Sequence, residues 1–212
     1  FAGGRGTSGR TGGGDGIKGG IQNFLDIFGR IIQNDRVNGY DVSYRKKEMM
    51  MASKKKKMIP PVLPEEFRRV ESTGRILKEF KYREERVTET VLEEIAAEEE
   101  DYSHLVFSAV KFVNCRFWNC SFERCEFTDV IFESCDFSGC NLSNTYFNRA
   151  EYLSCKGVGT KFAGSVCKNM VLRECNLNYA NFDACKLENL LVDKTELNSS
   201  NLTQCKCKDI QW

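Results

Sequence analysis

Eleven cysteines and a single histidine, His104, are the residues of this 212-residue chain whose types first suggest chemistry. That many thiols would suit a disulfide framework or a zinc site. Their spacing argues for neither. Cys115, Cys120, Cys125, Cys135, Cys140, Cys155, Cys175, Cys185 and Cys205 all fall in one five-residue register, and Cys167 and Cys207 fall two residues later in it. Thiols stacked on parallel side-chain vectors are poorly placed for a disulfide dihedral near ~90°, a linear ladder is not a tetrahedral cage, and the sequence has no CxxC pair. Cys/His catalysis could use only His104, which has no evident Asp or Asn partner. Gly157-Val158-Gly159 is a lone GxG without the strand-to-helix setting a phosphate loop needs. Carboxylates are plentiful, but no groove is expected that would desolvate them. The expectation is a protein that is not an enzyme, with no catalytic residue, no metal and no cofactor. A chain with so many unpaired thiols belongs in a reducing compartment, the cytoplasm.

The same register explains what the thiols are for. From Phe107 through Phe112, Phe117, Phe122, Phe127, Phe132 and Phe137 to Trp212, every fifth residue is large and apolar, interrupted only by Gly157, Cys167 and Cys207. Two residues before each stands a smaller side chain, and nine cysteines take that place, where a free thiol behaves as a small hydrophobe. Neither an α-helix nor an ordinary strand has a period of five, so this is an internal repeat. The units Cys140-Asn141-Leu142-Ser143-Asn144, Ala180-Asn181-Phe182-Asp183-Ala184 and Ser200-Asn201-Leu202-Thr203-Gln204 show the full pattern: small, Asn, large apolar, polar, variable.

This pattern, over residues 105–212, resembles the pentapeptide-repeat family. The resemblance implies an all-β fold: a right-handed, quadrilateral parallel β-helix with one pentapeptide per side and four per coil. Large and small positions would both point inward. From Phe107 onward that gives about five coils and a rod roughly 25 Å long. Every twentieth side chain then shares a column: Cys115, Cys135, Cys155 and Cys175 in one, Phe107, Phe127 and Phe147 in another. Gly157 is expected to leave a dent, or to have an aromatic neighbour, Phe137 or Phe162, leaning in.

Three segments follow from composition. Residues 1–58 are Gly-rich, then basic, and expected to be disordered apart from a short amphipathic helix over 20–33 (Ile21, Phe24, Leu25, Phe28, Ile31, Ile32), too short to span a bilayer. The basic cluster Arg45, Lys46, Lys47 and Lys54–Lys57 could contact nucleic acid or an anionic surface, but with no interleaved aromatic it reads rather as a solvated tail. Because the chain opens on Phe1, with Met49–Met51 and Met58 further in, part of 1–57 is expected to be fragmentary or to lie upstream of the true start. Residues 59–103 hold a linker marked by Pro60, Pro61 and Pro64 and an acidic capping segment. There helix competes with a backward extension of the register through Tyr82, Val87, Leu92, Ala97 and Tyr102; one irregular coil covering the end of the rod is favoured. Residues 104–212 form the repeat domain.

Two functions remain open. One is a protein-interaction scaffold with an unidentified partner. The other comes from the resemblance: some members of the family mimic DNA and protect DNA gyrase and topoisomerase IV from quinolones. The stretch from Ser154-Cys155-Lys156-Gly157 to Asn178-Tyr179-Ala180-Asn181-Phe182 looks like that subgroup. Mimicry needs an acidic surface, yet residues 104–212 carry 12 Lys/Arg and 12 Asp/Glu. Glu93, Glu94, Glu98, Glu99, Glu100 and Asp101 supply the negative patch instead and are the candidate partner-binding residues. Direct nucleic-acid binding by the repeat domain is not expected. The last inward-register residue, Trp212, is the candidate end of a homodimer formed through the C-terminal coil, an arrangement the resemblance also implies.

Overall fold

The computed structural model describes residues 57–70 and 75–212. The Gly-rich tail, the helix expected over 20–33 and the basic cluster up to Lys56 lie outside the described residues.

From Val87 to the C-terminal segment the chain winds as a four-sided parallel β-solenoid of about six coils. Strands β1 (Arg68–Arg69), β2 (Val87–Thr88), β3 (Thr90–Glu93), β5 (Val106–Val113), β7 (Glu126–Glu133), β8 (Tyr146–Leu153), β9 (Val166–Arg173), β10 (Lys186–Asp193) and β11 (Lys206–Gln211) form one sheet. β4 (Ala96–Glu98) and β6 (Arg116–Trp118) form a second. The long strands pair in parallel at a constant offset of twenty residues, so that Phe107, Phe127, Phe147, Cys167, Leu187 and Cys207 are successive partners. Each eight-residue strand covers two sides of the rod. The other two sides are joined mainly by single bridges, such as Ser121 to Asn141 to Lys161.

Five residues suffice for one side because the chain turns at every fifth. From Glu84 to Asp209 each fifth residue has positive φ, without a gap, and only Gly139, Gly159 and Gly164 among these are glycines. A left-handed conformation costs an ordinary residue roughly 1–2 kcal/mol. The core imposes it nonetheless, because a corner with any other backbone would turn the next inward pair to solvent.

The inward positions are filled to near-complete burial, with Phe107, Phe112, Phe117, Phe122 and Phe127 all inaccessible. Identical rings stack at the rung spacing: Phe107 on Phe127 at 4.7 Å and 2°, Phe162 on Phe182 at 4.7 Å and 2°. Gly157 departs from expectation. No aromatic ring leans over it; a Cβ built there would meet Leu177 Cδ2 at 2.7 Å and Thr160 Oγ1 at 2.9 Å. The leucine one coil on has taken the space, being directly above it in the column and free to tilt.

The rod's first coil begins at Val87, ahead of the repeat as read from the sequence, with Val87, Leu92 and Tyr102 fully buried. Tyr82 does not continue the register. It is 90% exposed, at the end of helix α1 (Ile76–Tyr82). Leu77 and Phe80, one turn apart, bury the helix's inner face against the core. A seven-residue helix is marginal alone, so this packing sustains it. Its C-terminus closes with Glu84 N–H donating to Lys81 O (3.1 Å) and Glu85 N–H to Phe80 O (3.0 Å). That is a Schellman cap whose left-handed residue, Glu84, is also the first corner of the solenoid.

Pro60, Pro61 and Pro64, read from the sequence as a linker, belong to an extended strap along the side of the rod. Lys57 O accepts from Asn189 Nδ2 (3.5 Å), Val62 N–H donates to Asp129 Oδ1 (2.8 Å), and β1 pairs with β3.

Candidate interaction surface

All eleven cysteines are free, nine of them buried. They do more than fill space. Cys140 Sγ–H donates to Phe117 O at 2.8 Å, and Cys125, Cys185 and Cys205 donate in the same way to Tyr102, Phe162 and Phe182 carbonyls at 3.2, 3.0 and 2.9 Å. Thr145, Thr160, Ser165 and Ser200 stand at the same position and make the same bond, always to the large residue 23 positions back. The small inward residue thus ties its coil to the one before. Burial pushes the Cys125 and Cys167 thiols up to about 12, whereas hydrogen bonds from neighbouring thiols in the stacked columns draw Cys115, Cys120 and Cys155 down. Among the described residues no three His, Cys, Asp or Glu side chains come together as a metal site. His104 is an exposed corner residue, and Gly157 and Gly159 lie within a bridging side and corner of the rod, with nothing near a Cβ at Gly159.

What remains for recognition is outside. The acidic candidates do not form one patch. Glu93 and Glu94 lie on one side of the first coil, Glu98 and Glu99 on the next, Asp101 on the third. Glu100 holds an inward register position and is paired with Lys78 of α1 at 2.6 Å. Asp101 pairs with Lys81 at 2.7 Å, and Lys81 also donates to Asp101 O and Ser103 Oγ. The Lys81 hydrogen bond, with help from Ser103, holds the Asp101 carboxyl at about 2. These two residues are engaged in fastening the cap.

Glu94, Glu98 and Glu99 are exposed, and the structure adds two residues that sequence reasoning missed. Glu84 and Glu89 are the preceding corners, also exposed. Four consecutive corners, Glu84, Glu89, Glu94 and Glu99, are glutamates, so the first coil is ringed with negative charge. Their five-residue spacing was the available signal. Elsewhere on the rod carboxylates pair between neighbouring coils, as Lys156 with Asp136 at 3.5 Å and Arg173 with Asp193 at 3.2 Å.

Two exposed aromatics stand on the bridging sides: Trp118, 45% exposed, whose Nε1–H donates to Asp136 Oδ2 at 3.5 Å, and Tyr179, 66% exposed. Trp212, 50% exposed, borders an apolar mouth at the last coil with Leu197, Leu202, Cys207 and Ile210. Among the described residues no helix is long and apolar enough to cross a membrane.

The fold and its five-residue corners define a class, the parallel β-solenoid of pentapeptides. Residues 105–182 match the family model described as the pentapeptide repeat region. Among curated proteins no match is found. Solved structures of similar fold include a trypsin-treated form of QnrB1, a plasmid-mediated fluoroquinolone resistance protein, at 23% identity, covering 65% of this chain and 69% of that one with a TM-score of 0.47. A pentapeptide repeat protein from the Arabidopsis thaliana thylakoid lumen matches at 16% identity over 42% of this chain and 64% of its own, TM-score 0.35. Rfr23, from the cyanobacterium Cyanothece 51142, matches at 13% identity over 64% of this chain and 96% of its own, TM-score 0.28.

Proposed function

We propose that this protein is a non-enzymatic interaction rod that meets its partner with the acidic first coil. The ring of exposed glutamates at Glu84, Glu89, Glu94 and Glu99 carries this reading. Glutamate is a poor choice for a left-handed corner, where Asn or Gly would cost less, and four in succession favour a role outside the fold. Such a ring complements a basic protein surface and repels nucleic-acid phosphate. The non-enzymatic reading draws support from the thiols, which serve as donors to backbone carbonyls, and from carboxylates paired from coil to coil. Eleven unpaired thiols favour a reducing, cytoplasmic setting.

Comparative affinity purification tests this. The full chain should retain a basic partner in a salt-sensitive manner, and the triple variant Glu94→Lys, Glu98→Lys, Glu99→Lys should lose it. Equal retention by both would refute the acidic coil as the contact.

A DNA-mimicking binder of DNA gyrase or topoisomerase IV is the second reading, and the same acidic ring favours it. The rod beyond residue 104 balances 12 basic against 12 acidic residues, so the contact would be made end-on by the first coil rather than along the length. A gyrase supercoiling assay with and without a fluoroquinolone separates the readings. Rescue or inhibition by the wild-type chain, lost in the triple variant, would establish the topoisomerase; no effect at tens of micromolar would leave the scaffold.

A further inference from the structure

The two long-stranded sides meet at a corner whose residues include Asp129, Arg149, Asn169 and Asn189, one per coil. Corner side chains of a solenoid ordinarily face water, yet Asp129 is 8% exposed and Asn189 is fully buried. Asp129 receives both Nε and Nη2 of Arg149, at 2.5 and 2.7 Å, and the amide of Val62. Asn189 Nδ2 donates to Asn169 Oδ1 at 2.7 Å and to Lys57 O at 3.5 Å. Its Oδ1 is buried with no hydrogen-bond partner, an unmet acceptor in the floor of this strip. Val171, at an outward position beside the same corner, is 5% exposed.

A β-solenoid spends its backbone donors and acceptors between coils, along its axis. Its sides therefore offer no ladder to a chain that crosses them, and such a chain must bring few unpaired donors. Pro60, Pro61 and Pro64 bring none, and the Val62 amide is met by Asp129. Spacing agrees as well. Asn189 and Asp129 are three coils apart, roughly 14 Å at the usual strand separation. The five residues from Lys57 to Val62 span about 15 Å in a polyproline conformation.

We propose that this corner is a docking groove for an extended, proline-rich peptide lying along the rod axis, recognised through its backbone, and that residues 57–64 are its resident ligand, held in cis. Asp129, fixed by Arg149, reads the Val62 amide; Asn189, oriented by Asn169, reads the carbonyl of Lys57 at the far end. The groove accepts the same peptide in trans once the strap is released.

The test uses the full chain and a fluorescent synthetic peptide with the sequence of residues 57–67, read by anisotropy. In wild-type protein the strap should resist limited proteolysis and the peptide should bind poorly. Val62→Pro removes the central donor. That variant should become protease-sensitive within 57–67 and bind the peptide at least tenfold more tightly, and Asp129→Asn added to it should abolish capture. Pro60→Gly with Pro61→Gly, which loosens the strap without touching the rod, repeats the comparison should Val62→Pro fold poorly. A released strap with no capture of peptide would overturn the proposal. So would a strap that stays protected in both variants, or capture that is equal with and without Asp129.

Discussion

Gly157 shows how tightly a single inward position is held. Its absent side chain is replaced by Leu177 of the next coil, 2.7 Å from where a Cβ would stand. Gly157→Ala should therefore destabilise the rod by about 1–3 kcal/mol through overpacking, read by urea denaturation. Adding Leu177→Val should recover part of that loss, a non-additivity expected of touching residues. The inward columns were legible in the sequence because volume and hydropathy alone mark them. The donor role of the small position was not: Cys, Thr, Ser and Ala are alike in size, and only geometry shows that Cys140 and Thr160 bond a carbonyl where Ala180 cannot. The corners were half hidden. Asn114, Asn119 and Asn144 advertise a left-handed backbone, whereas Glu84 to Glu99 disguise it.

At the scale of elements, the cap was ambiguous for a definite reason. Phe80 satisfies both a five-residue register counted back from the repeat and a helical pairing with Leu77, so sequence alone could not choose. The structure uses both, a helix to Tyr82 and a coil from Val87. The helix is fastened by Lys78 to Glu100 and Lys81 to Asp101. Because the Asp101 carboxyl is held at about 2 in the folded protein, below its ordinary value near ~4, its contribution is complete above that range and disappears as pH falls toward 2. Asp101 is largely exposed, so Asp101→Asn should cost only about 0.2–1 kcal/mol at pH 7. The difference between variant and wild type should vanish near pH 2, as thermal melts across that range would show. The strap lay beyond sequence reading altogether. Three prolines announce an extended chain, but nothing in them says that the chain lies against Asp129, 67 residues away.

Taken whole, the rod is polar in chemistry as well as in direction, with a charged ring at its first coil and an apolar mouth bordered by Leu197, Leu202, Ile210 and Trp212 at its last. We propose that two copies associate through that mouth, as parallel coils with an open face can. Sedimentation of the full chain should then show a concentration-dependent dimer, and Trp212→Lys should shift it to monomer; a wild-type chain that stays monomeric at all concentrations would refute this. The strap has a consequence for how such a molecule can change length over evolutionary time. Duplication or loss of twenty residues keeps every column in register and is otherwise the easiest change a solenoid can undergo. Here each added coil would move Asn189 and Asp129 apart by roughly one and a half residues of polyproline chain. The segment from Lys57 to Val62 therefore works as a ruler: it fixes the number of coils between its two ends, and a rod that grew or shrank there would have to rewrite its proline segment in the same step.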